Sequence, residues 1–204
     1  MFTGLIQQMA KVVSISSDEC GVRLVISCAG WDSPLEMGES ICTSGCCLTV
    51  AGISEENAKK QISFDVVRET LDCTTIGSWN VGSSVNLERS LRPDSLLGGH
   101  FVQGHIDGAE TVLAVTEEGE GACRIRFSLL NVDSDTIVHK GSITIDGISL
   151  TIAAVGDDWF DVALVPTTLK ETTLGILKIG DKVNIETDIL ARTVVHTIRK
   201  MQNK

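Results

Sequence analysis

The chain repeats itself, and this duplication restricts its possible folds more than any other feature of the sequence. Several blocks recur in the same order in both halves, among them Gly45-Cys46-Cys47-Leu48-Thr49-Val50 with Gly147-Ile148-Ser149-Leu150-Thr151-Ile152, and Val85-Asn86-Leu87-Glu88 with Val183-Asn184-Ile185-Glu186. Thr70 aligns with Thr168 and Asn86 with Asn184, so these positions share an offset of 98 residues. Solenoid repeats have periods of about 20–50 residues. The sequence therefore predicts two copies of one domain.

Each copy has the pattern of a β domain. Short, β-branched and often alternating runs occur at residues 22–27, 62–67, 123–129 and 142–153, and clusters of Gly, Asp and Asn separate them. About six such strands in each copy favour a small closed barrel, because closure leaves no free sheet edge. Short helices are expected near Leu71 and Asn131.

The C-terminal segment differs from the rest. Residues 189–201 place Leu190, Val194, Ile198 and Met201 at helical spacing, which predicts an amphipathic helix. Its apolar face either packs on its own domain or bundles with copies from other subunits. We therefore expect an N-terminal barrel over residues 1–100, a C-terminal barrel over 101–188, and a helical segment over 189–204 as an oligomerisation element.

Charge and cysteine content exclude several classes of partner. The net charge is −10, so phosphate backbones and anionic lipid surfaces are repelled, and neither nucleic acid nor a membrane is expected as a partner. The N-terminus lacks the features of a signal peptide, and no apolar run approaches the length of a spanning helix. An odd count of seven cysteines does not indicate a disulfide framework, which favours a cytoplasmic location.

Residues 98–108 at the junction of the halves combine glycines with two histidines. Glycines permit close approach of the backbone to a ligand. His100 and His105 are five residues apart, which on a strand places them on opposite faces, so they are a poor chelating pair. No cysteine or histidine set has zinc spacing, and no metal site is expected. Each histidine has either a structural or a functional role.

Aligned positions of the repeat carry further candidate groups. Cys47 and Ser149 occupy equivalent positions, and Cys47 is either a nucleophile or a small buried side chain. The sequence Gly147-Ile148-Ser149-Leu150-Thr151 lacks the second glycine of a nucleophile elbow, which argues against a serine hydrolase. The threonine pairs Thr74-Thr75 and Thr172-Thr173 offer hydroxyls to a heterocycle or are ordinary strand and turn residues. No dinucleotide fingerprint or phosphate-binding loop is present.

With these residues in view, the chain resembles the riboflavin synthase family of the two-repeat, alpha-subunit type over its full length. The resemblance rests on Met1-Phe2-Thr3-Gly4, Gly45-Cys46-Cys47-Leu48-Thr49, Gly98-Gly99-His100, Asp146-Gly147-Ile148-Ser149-Leu150-Thr151 and Asp188-Ile189-Leu190-Ala191-Arg192. It implies an all-β fold of two tandem homologous six-stranded antiparallel β-barrels plus a C-terminal α-helix. It also implies the dismutation of two 6,7-dimethyl-8-ribityllumazine molecules to riboflavin and 5-amino-6-ribitylaminouracil, without cofactor or metal. The expected assembly is a homotrimer with an active site between barrels of different subunits, and lumazine synthase is a further candidate partner.

The same resemblance implies the substrate-binding residues. One lumazine is expected in the N-terminal barrel, at Gly4, Leu5, Ile6, Cys47, Leu48, Thr49, Asp65, Val66, Val67, Arg68, Glu69 and Thr70. The other is expected in the C-terminal barrel, at Gly104, His105, Ile106, Lys140, Ser149, Leu150, Thr151, Val165, Pro166, Thr167, Thr168, Leu169 and Lys170. Backbone groups would bind the pyrimidine edge, and polar side chains the ribityl hydroxyls.

Catalytic roles follow as hypotheses from the resemblance. His105 is expected to shuttle a proton, Cys47 to act as nucleophile or polar ring contact, and Ser149 with Asp188 to activate the attacking group. Phe2 and Ser40 are expected to shape the first pocket. Two alternatives stay open: a lumazine- or flavin-binding protein of the same fold without activity, and a flavin-using reductase with a related barrel, although no nicotinamide motif is present.

Overall fold

A computed structural model of the protein describes residues 1–17, 21–56 and 58–203, and over these residues the chain forms two closed six-stranded antiparallel barrels followed by a helix. The predicted fold class is therefore confirmed. Cys20, one of the seven cysteines, and Lys204, the last residue of the expected helical segment, lie outside the described residues.

The two barrels have the same topology. The first consists of β1 (Gln8–Ser17), β2 (Gly21–Cys28), β3 (Ser40–Thr43), β4 (Cys46–Glu56), β5 (Lys59–Val67) and β6 (Ser84–Arg89), in the spatial order β1-β2-β5-β4-β3-β6. The second consists of β7 (Gly108–Gly119), β8 (Ala122–Ser128), β9 (Ser142–Ile145), β10 (Ile148–Val155), β11 (Trp159–Leu164) and β12 (Lys182–Thr187), in the equivalent order β7-β8-β11-β10-β9-β12. Pairing of β1 with β6 and of β7 with β12 closes the barrels.

Three α-helices accompany the strands among the described residues: α1 (Arg68–Cys73), α2 (Pro166–Glu171) and α3 (Ile189–Gln202). Single turns of 3₁₀-helix follow α1 and α2, at Thr75–Ser78 and Thr173–Ile176. The helix expected near Asn131 is instead a 3₁₀ turn at Ser134–Thr136, whose N-cap Asp133 accepts from the Asp135 N–H. The helices expected near Leu71 and over 189–201 are present as α1 and α3.

Alternation of apolar residues fills each barrel. In the first, inward positions such as Leu24, Ile62 and Phe64 are fully buried, and in the second Phe127 stacks on Phe160 with ring centroids 5.5 Å apart. Burial of such side chains contributes about 1.5–3 kcal/mol each. Each barrel therefore has its own core.

The prediction of one strand over residues 142–153 was wrong. The run at 142–153 forms two strands, β9 and β10, joined by a tight turn at Asp146-Gly147. Both turn residues have positive φ, 45° and 83°, as a two-residue hairpin of the I′ type requires. Because the turn is so short, apolar residues continue on both sides of it, and the run looks like one strand.

Candidate functional site

Each barrel wall opens at the same place. The ladder between β4 and β5 extends from Glu56↔Lys59 to Val50↔Phe64 and ends there. Beyond that point β4 pairs with β3, while β5 continues beside β2. The second barrel repeats this: the β10–β11 ladder ends at Ile152↔Val162, and the two strands then pair with β9 and β8 respectively. In each barrel the two strands therefore diverge beyond the end of their ladder, and we call this place the opening of the wall.

A segment from the opposite half of the chain lies along the edge of each opening. The Cys47 N–H donates to the Gly104 carbonyl oxygen at 2.9 Å, and the Ser149 N–H donates to the Gly4 carbonyl oxygen at 2.8 Å. Both glycines have positive φ, and a Cβ on Gly104 would lie 2.6 Å from the Cys47 Cβ. A Cβ on Gly4 would lie 2.5 Å from the Ser149 Cβ. These approaches require glycine.

This exchange of segments corrects the expected grouping of the substrate-binding residues. Gly4, Leu5 and Ile6 were expected beside Cys47, but they lie beside Ser149 of the second barrel. Gly104, His105 and Ile106 lie beside Cys47 of the first barrel. An approximate two-fold relation between the halves accounts for the exchange, since Phe2 and Val102 also pair with each other as an antiparallel bridge.

Two buried glutamates hold the exchanged segments. Glu186 accepts from the backbone N–H groups of Gln103, Gly104 and His105 at 2.7, 2.8 and 2.9 Å. Glu88 accepts from the N–H groups of Thr3 and Gly4 at 2.7 and 2.9 Å, and from the Thr3 hydroxyl. Burial raises the pKa of both carboxyls, and the N–H donors act in the opposite direction. Sequence reasoning missed this role, although both glutamates stand at the end of a repeated block.

The outer face of β4 and of β10 supplies the polar side chains. Cys46, Leu48 and Val50 point into the first core, which leaves Cys47 and Thr49 on the outer face. Likewise Ser149 and Thr151 alternate with the core residues Ile148 and Ile152, and Leu150 packs partly against that core. Ser40 stands opposite Thr49 in the β3–β4 register. A thiol and hydroxyls therefore border the openings.

The ends of β5 and β11 border the openings from the other side. Asp65, Val66 and Val67 end β5, and Arg68, Glu69 and Thr70 begin α1. The Asp65 carboxylate is engaged by Arg23, with Nε to Oδ1 at 2.8 Å. Val165 precedes α2, whose residues Pro166, Thr167, Thr168, Leu169 and Lys170 occupy the equivalent positions. Val67 and Val165 are both exposed, so each opening has an apolar rim.

The remaining expected residues have different surroundings. The His105 side chain is exposed. Asp188 is half-buried and caps α3 by accepting from the Leu190 N–H at 2.9 Å. The exposed Lys140 has a φ of 67° and lies beside β10, since its N–H donates to the Ile152 carbonyl oxygen. Phe2 has no exposed surface and packs with Cys42 and Val102, so it supports the structure beneath Cys47 rather than forming an open pocket wall.

The repeated threonine pairs are used within the protein. The Thr75 N–H donates to Asn184 Oδ1 at 2.7 Å, and the Thr173 N–H donates to Asn86 Oδ1 at 2.9 Å. Thr74 caps the following 3₁₀ turn through its hydroxyl, and Thr172 does the same. These pairs join the two barrels and do not face the openings, in contrast to the ligand-binding role considered from the sequence.

A groove of about 880 Å³ lies between the barrels, lined by α1, Trp79 and Lys182 among others. It includes Arg68 but none of Cys47, His105 or Ser149. The groove therefore lacks the candidate catalytic side chains, and its volume does not identify it as the reaction site.

Among the described residues, no three His, Cys, Asp or Glu side chains cluster as metal ligands would. No helix in the described part of the chain has the length and apolarity to cross a membrane.

Comparisons with known proteins define the class. The Lumazine binding domain family matches residues 3–90 and again residues 103–188. A crystal structure of LumP complexed with 6,7-dimethyl-8-(1'-D-ribityl) lumazine has a TM-score of 0.78 and 28% identity, covering 92% of this chain and 99% of LumP. LumP complexed with riboflavin gives a TM-score of 0.77 and 32% identity over the same shares. The chain is thus a two-repeat protein of the lumazine-binding class.

Sequence relatives specify the family within that class. Riboflavin synthase of Brucella abortus is 41% identical, covering 94% of this chain and 95% of the relative. The riboflavin synthases of Chlamydia pneumoniae and Bacillus subtilis are 37% and 35% identical, each over 98% of this chain and over 96% and 91% of the relative. The chain belongs to the riboflavin synthase family, as the sequence motifs predicted.

Proposed function

We propose that the protein catalyses the dismutation of two 6,7-dimethyl-8-ribityllumazine molecules to riboflavin and 5-amino-6-ribitylaminouracil. The observation that carries this proposal is the pair of equivalent openings, one in each barrel, each bordered by a polar side chain and a glycine-bearing segment. A reaction between two identical molecules requires two such binding sites. Holding the two rings in a fixed orientation can supply about 7–11 kcal/mol of the barrier reduction.

We propose a different division of the substrate-binding residues between the two sites. One lumazine would bind at Cys47–Thr49, residues 65–70 and residues 104–106. The other would bind at Ser149–Thr151, residues 165–170, Lys140 and residues 4–6. Each site thus draws on both halves of one chain. Support comes from the hydrogen bonds of Gly104 with Cys47 and of Gly4 with Ser149.

Catalysis would begin with loss of a proton from the 7-methyl group of one lumazine, which gives a carbanion delocalised into the ring. His105 is the proposed proton shuttle, because its side chain is exposed while Glu186 fixes its backbone. Cys47 would contact or attack the ring in the first site. Ser149, with Asp188, would assist in the second. Transfer of a four-carbon unit between the two molecules then yields both products, and no cofactor is required.

The assembly we propose is a homotrimer of this chain. The apolar stripe of α3 is exposed, with Leu190 at 62%, Val194 at 57%, Ile198 at 49% and Met201 at 72%. Opposite this stripe, Arg199 and Arg192 tie the helix to its own chain through Asp133 and Asp107. An exposed apolar stripe supports contact with a partner, and three copies would bring a first site of one subunit to a second site of another.

Sedimentation tests the assembly. Val194→Glu should yield monomers with reduced turnover, because a charge enters the apolar stripe. Lys200→Glu, also exposed but off the stripe, should remain trimeric. A wild-type protein that sediments as a fully active monomer would refute the trimer.

We also propose a cytoplasmic location and the division into segments 1–100, 101–188 and 189–204. The location is supported by the six described cysteines, all of which are free thiols. The division is supported by the positions of the strands and of α3.

Association with a lumazine synthase capsid is a further proposal, and co-sedimentation with that protein tests it.

Turnover of the lumazine tests the proposed function. Incubation of purified protein with 6,7-dimethyl-8-ribityllumazine, without added cofactor, should increase riboflavin absorbance with a stoichiometry of one riboflavin for two lumazines. A stable complex with unchanged lumazine would instead identify a binding protein of the same fold. His105→Ala and Cys47→Ala in folded protein should lower the rate, and an unchanged rate would remove that residue from the mechanism.

A further inference from the structure

His100 is held between two hydroxyls of the second barrel. Its Nδ1 lies 2.7 Å from the Ser149 Oγ, and its Nε2 lies 3.1 Å from the Thr144 Oγ1. Ser149 and Thr144 are directly opposite each other in the β9–β10 register. The imidazole therefore bridges a cross-strand pair, and both of its nitrogens are engaged.

The backbone is shaped to bring this ring close. A Cβ on Gly99 would lie 2.0 Å from the Thr3 carbonyl oxygen and 2.8 Å from the Ser149 Oγ. The His100 N–H also donates to the Thr3 carbonyl oxygen, at 3.2 Å. Only glycine allows the chain to pass at this distance, so the position of His100 depends on Gly99.

The imidazole is favoured in its neutral form. Burial lowers the pKa of His100, and the nearby Asp188 carboxylate opposes this with a smaller effect. A neutral ring has one donor and one acceptor nitrogen, so it can bind one hydroxyl as donor and the other as acceptor. With the proton on Nδ1, the ring donates to the Ser149 Oγ and leaves the Ser149 O–H free to donate to a ligand. With the proton on Nε2, the Ser149 O–H donates to the ring and its oxygen lone pairs remain free to accept. In both tautomers the Ser149 Oγ is held in place.

The equivalent position in the first barrel has no such ring. There Cys42 and Cys47 form the corresponding cross-strand pair, and Cys42 packs with Phe2 and Val102. The two openings are thus chemically different: an oriented hydroxyl borders one and a thiol in apolar surroundings borders the other. The difference arises from Ser149 in place of Cys47, and from His100, which binds the Ser149 hydroxyl.

We propose that His100 is a positioning residue for the dismutation, which directs the Ser149 hydroxyl toward the lumazine bound at the second-barrel opening. This inference rests on the proposed function. The imidazole acts through Ser149 and makes the two half-sites inequivalent, so that two identical substrate molecules take different roles.

Two amide substitutions of His100 distinguish the contact with Ser149 from the contact with Thr144. In His100→Asn the amide overlays Nδ1 and can still reach Ser149, whereas in His100→Gln it overlays Nε2 and can reach only Thr144. We expect His100→Gln to lower kcat about 10- to 100-fold with KM within about threefold, because misplacement of a reacting group lowers the chemical step more than binding. His100→Asn should recover most of that loss.

A double-mutant cycle provides the decisive readout. In a Ser149→Ala background, His100→Gln should lower kcat by less than about twofold, since its partner is already removed. Equal losses with and without Ser149, or equal kcat for the Asn and Gln variants, would overturn the inference. If wild-type protein does not convert the lumazine, the proposed function itself fails, which is a separate result. Circular dichroism of each variant checks that it is folded.

Discussion

Asn86 and Asn184 make the same hydrogen bonds in opposite directions across the contact between the barrels. Asn86 Nδ2 donates to the Asp146 carbonyl oxygen at 2.9 Å, and Asn184 Nδ2 donates to the Ser44 carbonyl oxygen at 2.8 Å. Both side chains are fully buried. Each amide thus binds the hairpin turn of the other barrel, and the two halves behave as one unit.

Asn184→Ala should destabilise the protein by about 2–4 kcal/mol, because the Thr75 N–H and the Ser44 carbonyl oxygen would remain buried without partners. Urea unfolding followed by tryptophan fluorescence measures this change. Asn80→Ala is the matched control, since the Asn80 side-chain amide donates to the Ser78 carbonyl oxygen on the exposed surface. A loss below about 0.5 kcal/mol for Asn184→Ala would contradict the coupling of the barrels through this residue.

Glu186→Gln should lower turnover about 10- to 100-fold, because an amide offers N–H to the backbone donors that now bind a carboxylate, and the His105 segment would shift. Steady-state kinetics with the lumazine, together with thermal unfolding, measures both effects. The turnover loss should exceed what the stability loss explains.

Glu110→Gln controls for loss of a buried carboxylate as such. Glu110 is also fully buried and accepts from the N–H groups of Leu130 and Val132 at 2.9 and 3.2 Å, outside the segments assigned to the openings. We expect it to destabilise the fold while the folded protein keeps its kcat. Similar kcat values for the two variants would remove Glu186 from the positioning of the site.

The sequence predicted the fold well because duplication restricts it independently of local detail. Two copies aligned at Asn86 and Asn184 must share one topology, and they do. The strands predicted at 22–27, 62–67 and 123–129 lie within one to three residues of their observed bounds. The prediction was wrong at Asp146-Gly147 within 142–153, where the apolar residues on both sides outweighed a dipeptide that is typical of two-residue hairpins.

The arrangement of the site could be predicted only in part. His100 and His105 were treated as strand residues on opposite faces, but both lie in irregular backbone, where alternation has no meaning. The pairing of Gly4 with Ser149 depends on how the two barrels face each other, which residue spacing within one copy does not encode. For the same reason the threonine pairs were considered ligand groups before their inter-barrel contacts were visible.

Asp146→Asn should stabilise the protein progressively as pH rises from about 4 to 7. Burial raises the pKa of Asp146 to about 7, whereas an unfolded aspartate titrates near 3.9. Between these values the folded chain binds more protons than the unfolded chain, so the free energy of unfolding of the wild type falls as pH rises and stays low above pH 7. Asparagine cannot ionise, and its Oδ1 can still accept from the Asn184 N–H, which is 2.8 Å from Asp146 Oδ1.

Urea unfolding of both proteins at several pH values measures the difference, which should reach about 1–4 kcal/mol in favour of the variant. Repeating the series at about 0.5 M salt distinguishes this effect from general repulsion in an acidic protein, because salt screens exposed charges much more than buried ones. A difference that does not change with pH would show that Asp146 does not titrate in this range.

Mild oxidation should join Cys42 to Cys47. The two residues are opposite each other in the β3–β4 register, and the Cys47 N–H donates to Gly104 rather than across the pair. The pair is therefore of the non-hydrogen-bonded type, with Cα atoms about 4.5 Å apart, at the short end of the range that a disulfide spans. Burial raises the pKa of the Cys42 thiol well above its usual range, so Cys47, which is half-buried, should react first.

Peroxide would oxidise Cys47 to a sulfenic acid, and attack by the Cys42 sulfur would then form the disulfide and release water. A Cys73→Ser background removes the exposed thiol that would otherwise join two chains. Peptide mapping should show a Cys42–Cys47 link with the loss of two hydrogens, turnover should fall as the link forms, and dithiothreitol should restore it. In Cys42→Ala this link cannot form. After brief peroxide treatment and then dithiothreitol, that variant should have the same turnover as before treatment. Linkage of Cys47 to any other cysteine would show that the register of β3 and β4 differs from the one described.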